Sequence, residues 1–462
     1  MPGDTISSRR RKSRSWENRV EGEVRSGKGG GPSADETFGT ASPDFGIRVE
    51  IPSKLSYPCR RSPRGGQVAA TRTLPPRISP LFDPSKLVRS LFLIAGEVSG
   101  DTHGAALMRS LREIGDWSFA GLGGPEMHRL APGAENWLGE AAVLGLWEVL
   151  KKYGYFRRRM EETVGRVHET KPDGLVFIDY PGFNLRLASR LRREGYGGKL
   201  IYYISPQVWA WKKGRIRTMA EQLDLMICIF PFEKDLYETS GLRTVFAGHP
   251  LVDSLVPWKA RGIPREESLV ALLPGSRERE IAALYPAMLE AVAILIRRRP
   301  NLRFATSGAT PQLTVRLREL TQAAGLAERV EVGEGTSREL MCQATAGVVA
   351  SGTATLEAAC LGLPYCLVYR VAWLTALVAR WVMSVDFLGI VNVIAGREVV
   401  SELLQERVSG ETIAAALERL LCDPGERFRL QADLAEVVAT LGEGGSHRRA
   451  AEAVAQVWNE GV

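Results

Sequence analysis

The sequence predicts an α/β protein of two doubly wound, Rossmann-like domains with a ligand cleft between them. From residue 88 onward, short apolar runs alternate with helical patterns, as parallel strands joined by crossover helices require. The alternation occurs twice, on either side of a polar stretch at 257–267 with two prolines and mixed charge. At 462 residues the chain also has room for two or three domains, each with its own core.

The first series begins with a strand over 90–95 that breaks into the loop Gly96-Glu97-Val98-Ser99-Gly100-Asp101. A helix over 101–113 follows, with Ala105, Leu107, Met108 and Leu111 on one face. Further strands are expected at 118–122, 174–179, 199–204, 223–230 and 244–247, with clear helices at 145–167 and 184–193. The second series places strands at 269–273, 302–306, 330–332, 347–350 and 365–369. The expected organisation is a basic tail (1–88), a first domain (89–256), a linker (257–267) and a second domain (268–440). The last segment, 441–462, is read as a helix packing back on the first domain.

The charge distribution argues against nucleic acid. Residues 1–88 hold 16 Lys and Arg against 9 Asp and Glu, which is the whole excess of +7, so the rest of the chain is neutral. That tail, with ten prolines and almost no apolar periodicity, reads as disordered. Its simplest explanation is an over-extended translation start, with the body beginning near Val88. The six cysteines have no paired spacing, which fits buried thiols better than disulfides or zinc. No window reaches the ~18 apolar residues of a membrane-spanning helix. The chain lacks a GxGxxG after a strand, GxxxxGK[ST], HExxH and CxxC, against dinucleotide oxidoreductases, P-loop NTPases and zinc enzymes.

Five blocks carry chemistry. Glu97 and Asp101 make the first loop a poor phosphate cradle and a better grip for hydroxyls. Asp179, in Ile178-Asp179-Tyr180-Pro181-Gly182-Phe183-Asn184, stands at the carboxyl end of a strand. A carboxylate there can take a proton from a hydroxyl nucleophile. The alternative is an N-cap Asp, a role Asn184 fills better. In Leu273-Pro274-Gly275-Ser276-Arg277, Arg277 opens a helix whose N–H groups and dipole already favour an anion, and it adds a bidentate grip on a diphosphate. In Ser351-Gly352-Thr353-Ala354-Thr355-Leu356-Glu357, Ser351 or Thr353 can cap a helix and bind phosphate oxygens. Glu357, one turn on, can accept both hydroxyls of a ribose. Finally, Trp209, Trp211, Lys212 and Arg215 combine indoles for sugar or acyl stacking with cations for an acceptor phosphate. A packing role with a solvated face remains the alternative for this last block.

Together these blocks resemble the lipid-A-disaccharide synthases, bacterial glycosyltransferases of GT-B architecture. The likeness is carried by AGEVSGD (95–101), GLGGPEM (121–127), LGLWEVL (144–150), IDYPGFN (178–184) and YISPQVWAWKKGRI (203–216). It continues in PFEKDLY (231–237), GHPLVD (248–253), LLPGSRERE (272–280), ASGTATLE (350–357) and VNVIAGREVVSELLQ (391–405). Ser401 departs from a common Pro, and Gly182 from a second Asp in some members, which throws the base role onto Asp179.

The resemblance implies an inverting transfer from UDP-2,3-diacylglucosamine to the 6-hydroxyl of 2,3-diacylglucosamine 1-phosphate, releasing UDP. It implies Asp179 as base, with Glu97 or Asp101 as alternatives. It implies donor contacts from Ser276, Arg277, Ser351, Gly352, Thr353, Glu357, Asn392 and Gln405. No Asp-x-Asp triplet occurs, and the expectation is an enzyme with no metal and no cofactor. The implied partners are the glycolipid substrates and the inner-membrane surface, on its cytoplasmic face in a Gram-negative-type bacterium. A homodimer is left open. Within 371–383, Leu374, Leu377, Val378 and Trp381 form an apolar helical stripe. Trp373 and Trp381 are expected at the membrane interface, with Arg370 and Arg380 on headgroups. Other GT-B-type enzymes, such as a UDP-N-acetylglucosamine 2-epimerase or a peptidoglycan-precursor transferase, remain alternatives. So does a non-enzymatic RNA- or membrane-binding protein led by the tail.

Overall fold

The computed structural model describes residues 88–141, 153–208, 214–371 and 386–458. The tail, the 144–150 block, Trp209, Trp211, Lys212, Trp373 and Trp381 therefore lie outside the described residues.

The first half runs β1 (Arg89–Ala95), α1 (Val98–Ile114), β2 (Trp117–Gly123), α2 (Pro125–Leu130), β3 (Ala134–Asn136) and α3 (Leu138–Ala141). It continues with α4 (Tyr153–Thr170), β4 (Gly174–Ile178), α5 (Pro181–Arg193), β5 (Lys199–Tyr203) and α6 (Arg215–Gln222). It ends with β6 (Leu225–Cys228), α7 (Pro231–Glu238) and β7 (Thr244–Phe246). The strands pair in parallel in the order β3-β2-β1-β4-β5-β6-β7. Alternate residues feed opposite faces, as period 2 demands. Leu91, Leu93, Val176, Ile178, Ile201 and Tyr203 join one buried cluster, and Phe92, Ile94, Leu175, Phe177, Leu200 and Tyr202 join the other. Each such side chain contributes about 1.5–3 kcal/mol on burial.

The second half begins with α8 (Pro250–Ala260), then β8 (Glu266–Leu273), α9 (Glu278–Arg298), β9 (Arg303–Gly308), α10 (Pro311–Ala323) and β10 (Val330–Glu334). Next come α11 (Ser337–Gln343), β11 (Ala344–Ala350), α12 (Thr353–Cys360), β12 (Tyr365–Tyr369), α13 (Ile390–Ala395) and β13 (Glu402–Leu404). The chain closes with α14 (Gly410–Cys422), α15 (Pro424–Ala439) and α16 (Ser446–Gln456). The sheet order is β10-β9-β8-β11-β12-β13, again parallel. Each sheet thus has its reversal of strand order between its first and fourth strands, where open α/β sheets place ligands.

The expected linker at 257–267 is mostly regular structure. Pro257 lies inside α8, one turn before its end, and Glu266 already belongs to β8. Helix α8 packs on α11 and α12, and the chain then enters the second sheet at the amino end of β8.

Helix α16 returns to the first half and lies along α1. Asp253 fixes its start, accepting from Gly445 N–H at 2.5 Å, Ser446 N–H at 3.1 Å and Ser446 Oγ at 2.7 Å. At the far end Trp458 packs against Trp117 at 6.0 Å, under the Arg89 guanidinium at 5.0 Å. Between these anchors His447 stacks on His103, with Nε2 and Nδ1 3.3 Å apart. Among the described residues no helix is long and apolar enough to cross a membrane.

Candidate active site

The first sheet's reversal of strand order brings together the loops after β1 and β4. Asp179 and Tyr180 both adopt left-handed backbone, with φ of 45° and 50°, a costly conformation for non-glycine residues. Several contacts hold it. The Asp179 N–H donates to the Tyr203 carbonyl at 3.0 Å. The Asp179 carbonyl accepts from Asn184 Nδ2 at 2.7 Å and from the Tyr202 hydroxyl at 2.6 Å. The Tyr180 ring then lies over Gly96, where a Cβ would fall within the ring itself, so only glycine fits. Buried Trp137 braces both loops. Its Nε1 donates to the Ala95 carbonyl at 2.7 Å, and its ring meets Tyr180 at 6.1 Å and Phe183 at 5.2 Å.

Burial, and then the nearby Glu97 carboxylate, push the Asp179 carboxyl up to about 6, against a smaller lowering by the Tyr180 N–H. Glu97 itself is exposed at the N-cap of α1, with no side-chain cap bond. A strand-end carboxylate with raised proton affinity beside a second carboxylate is suited to accept a proton near neutral pH. Gly182 is exposed, and a Cβ there would meet nothing within 4 Å, so a side chain would have room at this position.

Asp101 does not share this arrangement. It is 2% exposed, and its oxygens accept from the N–H groups of Gly124 at 2.8 Å, Glu126 at 2.9 Å and Met127 at 2.9 Å. The carboxylate is consumed in capping α2, which corrects its reading as an alternative base.

The second sheet's reversal of strand order has the opposite chemistry. After β8, Gly275 turns with φ 113° and Arg277 becomes the N-cap of α9. The Arg277 side chain is 63% exposed and, among the described residues, is tethered only by a long 3.4 Å contact to Glu280. The Glu280 carboxylate accepts the Ser276 N–H at 3.1 Å, so an acidic group already occupies a donor that suits a phosphate oxygen. After β11 the N-cap of α12 is Gly352, φ 149°, with no side-chain cap. The expected capping by Ser351 or Thr353 is absent. The Ser351 N–H instead continues the sheet to the Val368 carbonyl, and Thr353 is exposed at the first helical position. Glu357 is half-buried one turn later, held by Arg338.

Two further residues diverge. Asn392 is buried and fully bonded: Nδ2 donates to the Val400 carbonyl and to Glu402, each at 2.8 Å, and Oδ1 accepts from the N–H groups of Val399 and Val400. It braces the chain ahead of β13 and has no capacity left for a nucleotide contact, which corrects that expectation. Gln405, by contrast, stands at the carboxyl edge just after β13, half-buried with φ 52°. Arg370, expected on lipid headgroups, donates instead to the carbonyls of Ala283, Gln405 and Val408 and so secures the Gln405 turn. Arg215 is exposed at the first position of α6.

Among the described residues no group of three His, Cys, Asp or Glu side chains is placed to hold a metal ion. Cavities of about 500 Å³, beside Arg303 and Arg329, and about 380 Å³, beside Arg159 and Arg166, do not involve these loops.

The family model described as lipid-A-disaccharide synthetase matches residues 91–457. The chain belongs to the lipid-A-disaccharide synthase family. It is 39% identical to the lipid-A-disaccharide synthase of Geobacter sulfurreducens over 382 residues, 80% of this chain and 98% of that protein. It is 35% identical to that of Persephonella marina over 383 residues, covering 80% and 99%. By shape it is similar to the crystal structure of a UDP-GlcNAc 2-epimerase from Neisseria meningitidis bound to UDP-GlcNAc. That match has a TM-score of 0.52 at 12% identity, covers 80% of this chain and 99% of that one, and bears on the fold alone. The chain is therefore a UDP-sugar-dependent hexosyltransferase that condenses UDP-2,3-diacylglucosamine with 2,3-diacylglucosamine 1-phosphate. Sequence reasoning missed the roles of Trp137, Tyr180 and Arg338, whose partners are distant in the chain, and gave Arg370 a different one.

Proposed function

We propose that the two sheets divide the family's reaction between them. Asp179 takes the proton from the acceptor 6-hydroxyl as it attacks the donor anomeric carbon, from the face opposite UDP. Glu97 keeps the proton affinity of Asp179 high enough for that task. The C–O bond to UDP breaks, and the leaving diphosphate gains negative charge. Arg277 and the uncapped N-terminus of α12 at Ser351, Gly352 and Thr353 stabilise that charge without rearranging. The diphosphate displaces Glu280 from the Ser276 N–H, while Glu357 accepts the ribose hydroxyls and Gln405 lines the nucleotide side.

Trp209, Trp211, Lys212 and Arg215 would receive the acceptor. Both substrates carry acyl chains, so the work takes place at the cytoplasmic face of the inner membrane, with Trp373 and Trp381 as contacts. The observation that best supports this reading is the raised pKa of Asp179 at the first sheet's reversal of strand order, beside Glu97. Incubating the purified protein with both glycolipids and following disaccharide phosphate and UDP by mass spectrometry tests it. Product from the wild type and almost none from folded Asp179→Asn is expected. Equal product from both removes Asp179 from the mechanism.

A further inference from the structure

Of the ion pair at the second sheet's carboxyl edge, only Glu357 has a role in the division of labour above. Arg338 sits in the first turn of α11, after β10, and Glu357 lies on α12, after β11. Nineteen positions apart, they meet because β10 and β11 end on the same edge of one parallel sheet. Both donors of the Arg338 fork converge on a single oxygen: Nε reaches Oε1 of Glu357 at 3.1 Å and Nη2 reaches it at 2.7 Å. Among the described residues nothing donates to Oε2. The side chains are 35% and 16% exposed, so solvent screens this pair less than a surface one.

We propose that Arg338 is a positioning residue that presents Oε2 of Glu357 to the ribose hydroxyls of the UDP-sugar. The proposal rests on Glu357 as the ribose acceptor. A planar guanidinium that grips one oxygen with two donors fixes the carboxylate plane, which a lysine point charge does less well. It also neutralises a carboxylate that shares a binding site with a diphosphate, removing a like-charge penalty from donor binding. The arrangement leaves one oxygen committed and one oxygen aimed.

The test is calorimetric titration of the full chain with UDP and with 2′,3′-dideoxy-UDP. Wild type should favour UDP by about tenfold or more, the scale of a hydrogen bond to a charged group. Glu357→Gln should abolish that preference. Arg338→Met should abolish most of it, Arg338→Lys should keep part of it, and Arg338→Met added to Glu357→Gln should change UDP affinity by less than about twofold. If Arg338→Met does not fold, reduced preference in Arg338→Lys, with dideoxy-UDP affinity unchanged, supports the proposal. Full preference in both Arg338 variants, alongside its loss in Glu357→Gln, overturns the positioning role. Equal weakening of UDP and dideoxy-UDP by Arg338→Met, with the preference between them intact, also overturns it, because Arg338 would then act through its charge alone and not by orienting Glu357. Full preference in Glu357→Gln overturns the ribose reading, a separate failure that takes the positioning role with it.

Discussion

The two sheets share one topology and carry opposite chemistry at corresponding places. In the first, the loops after β1 and β4 gather two carboxylates, Glu97 on extended backbone and Asp179 on backbone forced into left-handed conformation. In the second, the loops after β8 and β11 offer an exposed Arg277 and two helix N-termini without side-chain caps. Elsewhere Thr310, Ser409 and Asp423 each cap their own helix with a side-chain oxygen, whereas α6, α11 and α13 also begin without one. A doubly wound sheet fixes where a ligand meets the protein, and the loop residues decide whether that place accepts protons or holds anions.

The comparison breaks most visibly at Asp179. Asp179→Asn should leave the melting temperature nearly unchanged and slow turnover by about 10²–10⁴-fold, the scale of a lost general base. Turnover within a few-fold of wild type in the folded variant contradicts the assignment. On the other side, Arg277→Ala should lower kcat/KM by about 10²–10³-fold, with kcat falling as well as donor KM rising, since the diphosphate gains charge as the bond breaks. Activity should persist in excess EDTA. Its complete loss, restored by magnesium or manganese, would show that Arg277 and the helix ends do not suffice.

Asp101 sharpens the contrast between a carboxylate that reacts and one that only holds. Asp101→Ala strands three backbone N–H groups and should cost about 3 kcal/mol of stability in denaturant titration. The folded fraction should keep its kcat. A stable variant with lost turnover would return Asp101 to the chemistry.

A smaller, pH-dependent effect belongs to the seam between α1 and α16. Burial, and then the neighbouring His447, push His103 down to about 4, and burial, and then His103, push His249 down to about 4. Burial also lowers His447 from its ordinary value, opposed by Asp253 and reinforced by Arg109. The folded state disfavours these protons, so the unfolded chain binds more of them. The stability these neutral rings contribute is present above the ordinary histidine pKa and is lost as pH falls from about 6.5 toward 4. The melting temperature should drop over that window, and His103→Gln should flatten the drop. An unchanged slope in that variant would place the acid sensitivity elsewhere.

Much of this was legible because strand, loop and helix are local. The blocks around Glu97, Asp179, Arg277 and Thr353 each declare a strand end followed by a turn, and the paired series declares two sheets. The illegible parts depend on partners far away. Asp101 reads as a loop carboxylate until the N–H groups of Gly124, Glu126 and Met127 arrive more than twenty positions later. Asn392 reads as a polar contact until the turn before β13 folds onto it. The short strands β3 and β13, three residues each, are too brief to show a period. Pro257 and the charges around it imitate a linker because a proline inside a helix ordinarily breaks it, and here the helix runs on through it.

The division between a proton-accepting sheet and an anion-holding sheet is tested most directly by the pH dependence of kcat/KM for wild type and Glu97→Gln. The wild-type rate should fall as pH drops through about 6, because Asp179 must be unprotonated to accept the 6-hydroxyl proton. Removing the Glu97 charge lowers the proton affinity of Asp179, so the acid limb of Glu97→Gln should move to lower pH. It should not reach the ordinary aspartate range, because burial, the larger cause, is untouched. An acid limb at the same pH in both proteins would contradict the coupling of Glu97 to Asp179 on which the account depends.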